Sequence, residues 1–363
     1  MIIGIDASRS NVEQKTGTEY YSFEIIKNIV ELENDNTLRL YCKTPLNYLK
    51  SKKNVEIREL HMARLWTQIK LSSEMKKDPP DVLFIPSHVI PLNHPKTVVT
   101  LHDVGFHYFP ELYTPLERIY HHNSMKYSIK HAAKIIAISE NTKNDLVKLY
   151  KADPKNITVI YHGYDTEKFY PARSSKKPAE IEKLGDYIYF IGRLEAKKNV
   201  KNLVRAYGDL REDKSITHKL VLAGRAGYQF EEILAEIESL PEDIRKDVIL
   251  PGYIADEIMP EYLRYAQVFA FPSKFEGFGM PLVEAMACGI PIVASNTTSI
   301  PEIVGEAGLL FDPDNVGQIE SSLKDVIKSK KIKDELIKKG FERLKLFNWK
   351  ESARKTLEVI KSA

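Results

Sequence analysis

Cysteine is nearly absent from the 363 residues: there are two, Cys42 and Cys288, far apart and without metal-ligand companions. That excludes a disulfide scaffold and a zinc cluster, and two reduced thiols of a cytoplasmic protein are expected. No apolar stretch approaches the ~20 residues that a membrane-spanning helix needs. The first residues, Met1-Ile2-Ile3-Gly4-Ile5-Asp6, lack a basic segment, a long apolar run and a cleavage site, so they read as a first strand rather than a signal peptide. Neither positive nor negative residues predominate. The net charge is +3, which leaves no electrostatic footprint for a nucleic acid, and none is expected as a partner. Low-complexity tracts and short-period repeats are missing. What remains is 43% hydrophobic and 28% charged, an ordinary globular balance, in a chain long enough for two α/β domains.

Short apolar runs alternate with helical patterns almost from end to end, the signature of parallel α/β layers. In the first half, strands are expected at Ile2–Ile5, Leu38–Tyr41, Val82–Ile85, Thr97–Leu101, Lys134–Ile138 and Ile157–Ile160. Helices are expected at Glu19–Glu31, Arg64–Lys76 and Asn141–Tyr150, the last with polar caps in Glu140-Asn141-Thr142. The segment 171–178, with two prolines and no hydrophobic period, reads as a linker that includes Ser175. Alternation restarts with strands Tyr187–Ile191, Lys219–Ala223, Val248–Leu250, Val268–Phe271 and Ile292–Ala294, between helices Asn199–Leu210, Glu231–Ser239, Met259–Ala266 and Pro281–Ala287. The end, from about Asp334 to Ala363, is helical. The expected organisation is a first domain over 1–170, a linker over 171–184 and a second domain over 185–348. Two doubly wound domains bind ligands at the carboxyl ends of their strands, facing each other across a deep cleft, so chemistry belongs in strand-to-helix loops.

The richest loop runs from Phe271 to Gly289 and contains Glu276-Gly277-Phe278-Gly279-Met280-Pro281-Leu282-Val283-Glu284. Pro281 suits a helix's first turn, and Gly289 the position just past its end. Gly277 and Gly279 let backbone approach a ligand at a helix start that carries partial positive charge. Glu276 before the helix and Glu284 one turn inside it can accept hydrogen bonds from sugar hydroxyls. Either glutamate alone is as well explained by a solvated surface; both in this order are not.

A second constellation is Gly192-Arg193-Leu194-Glu195-Ala196-Lys197-Lys198-Asn199. Asn199 is expected to cap the following helix, and Arg193 and Lys198 beside such a terminus suit a diphosphate. Lys197 fits a solvated loop. Thr16-Gly17-Thr18 links the first strand to the first helix, where a glycine allows close approach to phosphate or sugar. His102-Asp103 ends a strand, where the histidine can meet sugar oxygens and Asp103 can fix its tautomer or a turn. A lone strand-end histidine is more often structural. Ile138-Ser139-Glu140-Asn141, Tyr161-His162-Gly163-Tyr164-Asp165 and Pro251-Gly252-Tyr253-Ile254 also end strands, and each could equally be an ordinary turn.

Glu-Gly-Phe-Gly-x-Pro-x-x-Glu at Glu276–Glu284 resembles the Glu-x7-Glu motif of the family 4 retaining glycosyltransferases of the GT-B fold, and the resemblance extends from Gly4-Ile5-Asp6 to Phe347-Asn348-Trp349. It implies two Rossmann-like domains, with a last helix of about 349–363 crossing back onto the first. It gives Arg193 and Lys198, in Gly-Arg-x4-Lys-Asn, the donor pyrophosphate. Glu276 would orient the transferred sugar and Glu284 bind the ribose. Gly277, Phe278, Gly279, Met280, Leu282 and Val283 would line the donor, Gly252, Tyr253 and Ile254 would meet the nucleobase, and Gly17 would approach the phosphates or sugar. His102 would stand at the reacting centre. Where many relatives carry a second glycine, this chain has Glu19.

The same resemblance implies retention of the donor's anomeric configuration, no metal or other cofactor, and front-face substitution in which the departing diphosphate helps to take the acceptor proton. Arg64-Leu65-Trp66-Thr67-Gln68 resembles a branch of mannosyltransferases using GDP-mannose, with UDP-sugars as the alternative donors. The acceptor is expected to be a saccharide or lipid-linked saccharide, and Arg64–Lys77 offers apolar and basic positions compatible with peripheral contact at the inner membrane face, or equally with packing on the sheet; Tyr120–His131 is similarly basic and open to the same two readings. A sugar-nucleotide 2-epimerase lacks the Glu-x7-Glu pattern. A starch or glycogen phosphorylase would need a longer chain and a pyridoxal-phosphate lysine motif. A degenerate nucleotide-sugar-binding protein is opposed by the intact Arg193, Lys198, Glu276 and Glu284.

Overall fold

The computed structural model describes residues 1–363 except Gln14, Ala63, Arg64 and Ser175. The expectations on Arg64 and Ser175 therefore lie outside the described residues. The chain divides into two compact units, Met1–Gly163 with Phe347–Ala363, and Tyr164–Leu346. Each is a parallel sheet with helices, as the alternating pattern requires.

The first sheet comprises β1 (Ile2–Asp6), β2 (Thr37–Cys42), β3 (Val55–Glu59), β4 (Val82–Ile85), β5 (Lys96–Leu101), β6 (Lys134–Ala137) and β7 (Ile157–Val159). Their order is β3-β2-β1-β4-β5-β6-β7, and the pairings are parallel. Helices cover both faces of such a sheet, which is why β4 is apolar and buried at every position. The order reverses between β1 and β4, so the loops after β1, β4 and β5 gather at a switch point. The edge strand β3 has no counterpart among the expected strands. Its Val-Glu-Ile-Arg-Glu is largely exposed, and charge on an edge hides the strand period while deterring edge-to-edge pairing.

Several helical expectations change in detail. Ser139, not Glu140-Asn141-Thr142, caps the helix Glu140–Tyr150 by accepting from the Thr142 amide. The segment expected as a helix over Arg64–Lys76 begins as a π-helical turn, Thr67–Leu71, and continues as Ser72–Lys77. The helix Pro115–His131 starts with a capping box between Thr114 and Glu117 and a proline in its first turn. It buries only Met125 and Ser128, so it shows no apolar stripe by which sequence could announce it.

The second sheet has β8 (Tyr187–Ile191), β9 (Lys219–Ala223), β10 (Val248–Gly252), β11 (Val268–Phe271), β12 (Ile292–Ser295) and β13 (Gly308–Phe311), in the order β10-β9-β8-β11-β12-β13. Its switch point lies between β8 and β11. The helix Val200–Glu212 buries Val200, Leu203, Val204 and Tyr207, the face its spacing predicts, against Phe190, Leu222 and the helix Val316–Lys328. Each such side chain contributes about 1.5–3 kcal/mol of burial. Asn199 does not cap this helix. It takes a left-handed conformation (φ 56°), and its side-chain amide donates instead to the Pro313 carbonyl at 2.7 Å. The edge strand β13 was also not expected: it opens on a glycine and is only partly buried over 308–310, so it lacks the uninterrupted apolar run of the inner strands.

The C-terminal helical stretch is broken by a turn at Leu344–Leu346. Asn348 then caps the helix Trp349–Lys361, which packs on the helix Gly17–Leu32 within the first unit. Both cysteines are buried and unbridged. Among the described residues, no helix is long and apolar enough to cross a membrane.

Candidate active site

The switch point of the second unit brings together the loop after β8 and the loop after β11. The Lys198 ammonium lies 2.5 Å from a Glu276 carboxylate oxygen, and both side chains are largely shielded from solvent. The Lys274 amide donates to the Lys197 carbonyl, tying the two loops through their backbones. Thr298 and Ser299, from the loop after β12, brace the glutamate. The Thr298 hydroxyl accepts from the Glu276 amide at 3.1 Å, while Ser299 donates to the carbonyls of Glu276 and Phe278. Sequence reasoning missed both braces. They lie some twenty residues on, and only strand pairing brings them back.

Gly279 precedes the helix Met280–Ala287 with φ 93°, a conformation a side chain strains against, and a Cβ there would press within 2.9 Å of Leu282. No side chain caps the helix, so its start keeps its partial positive charge. Pro281 occupies the first turn and Gly289 (φ 70°) follows the end, as the sequence implies. Leu282 and Val283 are fully buried and Phe278 nearly so. Their side chains belong to the core, leaving only backbone to meet a ligand.

Glu284 is buried in this helix. Desolvation, and next the negative charge of Asp256, push its carboxyl up to about 8, against a smaller pull from Lys168. Near neutral pH it is a carboxylic acid, able to donate as well as accept. Arg193 is not drawn into the Lys198–Glu276 pair. It is 65% exposed and lies 3.9 Å from the buried Glu195, which also faces Lys197 at 3.7 Å.

The neighbouring loops after β9 and β10 are joined by a hydrogen bond from the Gly224 amide to the Gly252 carbonyl. Gly224 (φ 140°) must be glycine, because a Cβ would sit 1.8 Å from the Gly192 carbonyl oxygen. This joins the loops after β8, β9 and β10 into one rim. On that rim Tyr253 is half exposed, with the Arg225 guanidinium 4.7 Å above its ring, while Ile254 is buried.

In the first unit, Gly17 opens the helix after β1, and a Cβ there would meet nothing within 4 Å. Glu19 ties this loop together, binding Arg9 at 3.0 Å and the Thr16 hydroxyl. His102 is buried, and its Nε2 lies 2.9 Å from the Pro86 carbonyl oxygen. A carbonyl can only accept, so Nε2 carries the proton and Nδ1 the lone pair. The tautomer is thus fixed by Pro86 and not by Asp103, whose carboxylate accepts from the Gly105 amide and shapes the turn. Burial lowers the pKa of His102, and lowers those of His88 and His162 further. These three rings cluster with Tyr21, and His162 stacks on Trp349 at 5.4 Å. Of this cluster, sequence reasoning singled out only His102 and the His162 turn.

Residues 172–343 match the family model for glycosyl transferases group 1, and residues 34–168 match that for glycosyltransferase family 4. The O-antigen chain mannosyltransferase B of Escherichia coli is 28% identical over 282 residues, covering 76% of this chain and 73% of that protein. The N-acetylgalactosamine-N,N'-diacetylbacillosaminyl-diphospho-undecaprenol 4-alpha-N-acetylgalactosaminyltransferase of Campylobacter jejuni is 31% identical, over 62% of this chain and 59% of its own. Among solved structures, sucrose-phosphate synthase from Thermosynechococcus elongatus superposes with a TM-score of 0.78 at 18% identity, covering 99% and 98% of the two chains.

Proposed function

Because the chain belongs to family 4 of the glycosyltransferases, enzymes of the GT-B fold, we propose that it is a retaining hexosyltransferase that moves mannose from GDP-mannose to a saccharide or lipid-linked saccharide. The observation that carries this reading is the Lys198–Glu276 pair at the β8–β11 switch point, beside an uncapped helix start and the neutral acid Glu284. Lys198 and the exposed Arg193 hold the donor diphosphate, and the start of helix Met280–Ala287 adds its partial charge through backbone of the Gly277–Val283 segment. Glu276 accepts from hydroxyls of the transferred sugar. Glu284 binds the ribose, donating from its protonated oxygen and accepting at the other. Gly252, Tyr253 and Ile254 meet the base. In the first unit, Gly17 and His102 serve the sugar being transferred, with His102 offering the Nδ1 lone pair to a hydroxyl.

In the step itself the bond from the anomeric carbon to the diphosphate oxygen breaks, and the acceptor oxygen bonds to the same carbon on the same face. The acceptor proton passes to the departing diphosphate. Charge growing on that group is met by Lys198, Arg193 and the helix start, positive groups set before reaction begins, so the step is proposed to need no metal. Mannose is supported by the mannosyltransferase relative, and a lipid-linked acceptor by the diphospho-undecaprenol named in the other.

Contact with an anionic membrane surface is supported by the helix Pro115–His131. Residues 114–120 are all exposed, among them Leu116, Ile119 and Tyr120. A cavity of about 530 Å³ beside them is lined by Arg118, His107 and His122 together with Phe106 and Ile119. Apolar side chains beside the Arg118 guanidinium suit the headgroup boundary.

A screen of GDP- and UDP-sugars, scored by donor hydrolysis and thermal shift, with NMR of the product anomer, tests the proposal. GDP-mannose is expected to give the largest response, and the product is expected to keep the donor's configuration. An inverted anomer would remove the retaining step, a thermal shift without turnover of any donor would favour a nucleotide-sugar-binding protein, and silence in both readouts would remove the donor site.

A further inference from the structure

Three side chains on the rim of the second unit are linked to one another. The Arg225 guanidinium carbon stands 4.7 Å from the centre of the Tyr253 ring, and the Tyr253 hydroxyl is 3.4 Å from an Asp256 carboxylate oxygen. All three are exposed. Arg225 follows Gly224 and Tyr253 follows Gly252, the residues joined by the amide-to-carbonyl bond between the two loops, so the backbone holds them side by side. Asp256 lies close enough to Glu284 to raise that residue's proton affinity, which places the trio within electrostatic reach of the proposed ribose site.

Cations and carboxylates are common on protein surfaces, but this group has a particular complementarity. A guanine presents two acceptors, O6 and N7, on one edge and two adjacent donors, N1–H and the N2 amine, on the next. A guanidinium donates in a fixed fork to the first edge, and an ionised carboxylate accepts from both donors of the second. Uracil offers a carboxylate a single N3–H between two carbonyl oxygens, which repel it. Adenine turns the lone pair of N1 toward it beside one amine. The tyrosine ring adds a flat apolar surface that any base can use.

We propose that Arg225, Tyr253 and Asp256 form a guanine-reading platform, in which Asp256 discriminates guanine from uracil. The proposal rests on the reading of the second unit as the nucleotide-sugar site and adds the residues that choose the base. Tyr253 supports binding without selecting, Arg225 favours a base with O6 and N7, and Asp256 supplies most of the selectivity.

The test is calorimetric titration of the full chain with GDP, UDP and inosine diphosphate, which is GDP without the N2 amine. The unaltered protein is expected to bind GDP about tenfold or more tighter than either of the others, the discrimination of one good bidentate contact. Asp256→Ala is expected to lose that factor for GDP, to change UDP binding by less than about twofold, and to erase the difference between GDP and inosine diphosphate. Arg225→Ala is expected to weaken GDP and inosine diphosphate equally, because both keep O6 and N7. Both substitutions lie in exposed loops, and thermal denaturation checks that the variants remain folded. A GDP to inosine diphosphate ratio unchanged in Asp256→Ala would overturn the guanine platform while leaving the donor site in place. Failure of the unaltered protein to bind any of the three would remove the donor site and the platform together.

Discussion

Lys198 and Glu276, 78 residues apart in the chain, meet at 2.5 Å as an ion pair at the carboxyl ends of β8 and β11. Both are shielded yet within reach of the ligand they are proposed to hold, so each neutralises the other until a diphosphate and a sugar take their places. A ligand that separates them must offer Lys198 an anion at least as good as a carboxylate, and a phosphate does.

The phosphate assignment therefore predicts that Lys198→Ala and Arg193→Ala each lower kcat/KM by about 100-fold, the usual effect of deleting one donor that stabilises charge in a transition state. Because Lys198 and Glu276 act together, Lys198→Ala with Glu276→Gln is expected to lose little more than the worse single variant. Steady-state kinetics with the donor found by screening measure this. Unchanged turnover in Arg193→Ala or Lys198→Ala would sink the assignment.

Glu284 gives the protein a pH-dependent weakness. Its carboxyl is held at about 8 in the folded chain against an ordinary 4.5. Between those values the folded state keeps a proton that the unfolded state releases, so stability falls as pH rises through the window and levels off above it. Glu284→Gln removes the ionisable group. Relative to the unaltered protein, the variant is expected to be more stable at pH 8.5 than at pH 5, by a difference on the order of a few kcal/mol. Thermal denaturation at the two pH values checks it; identical pH trends would mean that the acid is already ionised at neutrality.

The opposite trend is expected in the first unit. His88, His102 and His162 are held below their ordinary value of 6.5 by burial. Under pH 6.5 the unfolded chain takes up protons that the folded unit refuses, so stability is lost as pH falls from there toward the folded values. Each histidine contributes up to about 1.4 kcal/mol per pH unit, and His162→Phe, which preserves an aromatic ring beside Trp349, is expected to make the trend shallower by about that much. Trp66 and Trp349, the chain's two tryptophans, both lie in this unit, so fluorescence during urea unfolding at pH 7.0 and 5.5 reports on it directly. Equal midpoints at both pH values would contradict the buried neutral histidines.

Much of the fold was legible because parallel strands covered on both faces must be apolar without interruption. Val82–Ile85, Tyr187–Ile191 and Val268–Phe271 announce themselves in that way, and the structure has strands there with the same bounds. The edge strand Val55–Glu59 did not, because its charged residues answer to solvent and to the sheet's exposed margin. Of the helix Pro115–His131 only the basic stretch Tyr120–His131 stood out, for a related reason: the first two turns are exposed on all sides, and no apolar stripe was needed to hold them.

For the candidate site, local sequence determined what local backbone requires. Glycine stands where the chain turns at Gly279, proline where a helix begins at Pro281, and the spacing of Glu276 and Glu284 sets one before the helix and one inside it. Tertiary structure alone decided that Glu276 binds Lys198, that Thr298 and Ser299 brace it, that Pro86 fixes the His102 tautomer, and that Glu284 is neutral. Each of these depends on atoms far apart in the chain, or on the removal of water, and neither is written in the period of a strand or a helix. Protonation, tautomer and pairing are set by the surroundings that folding assembles.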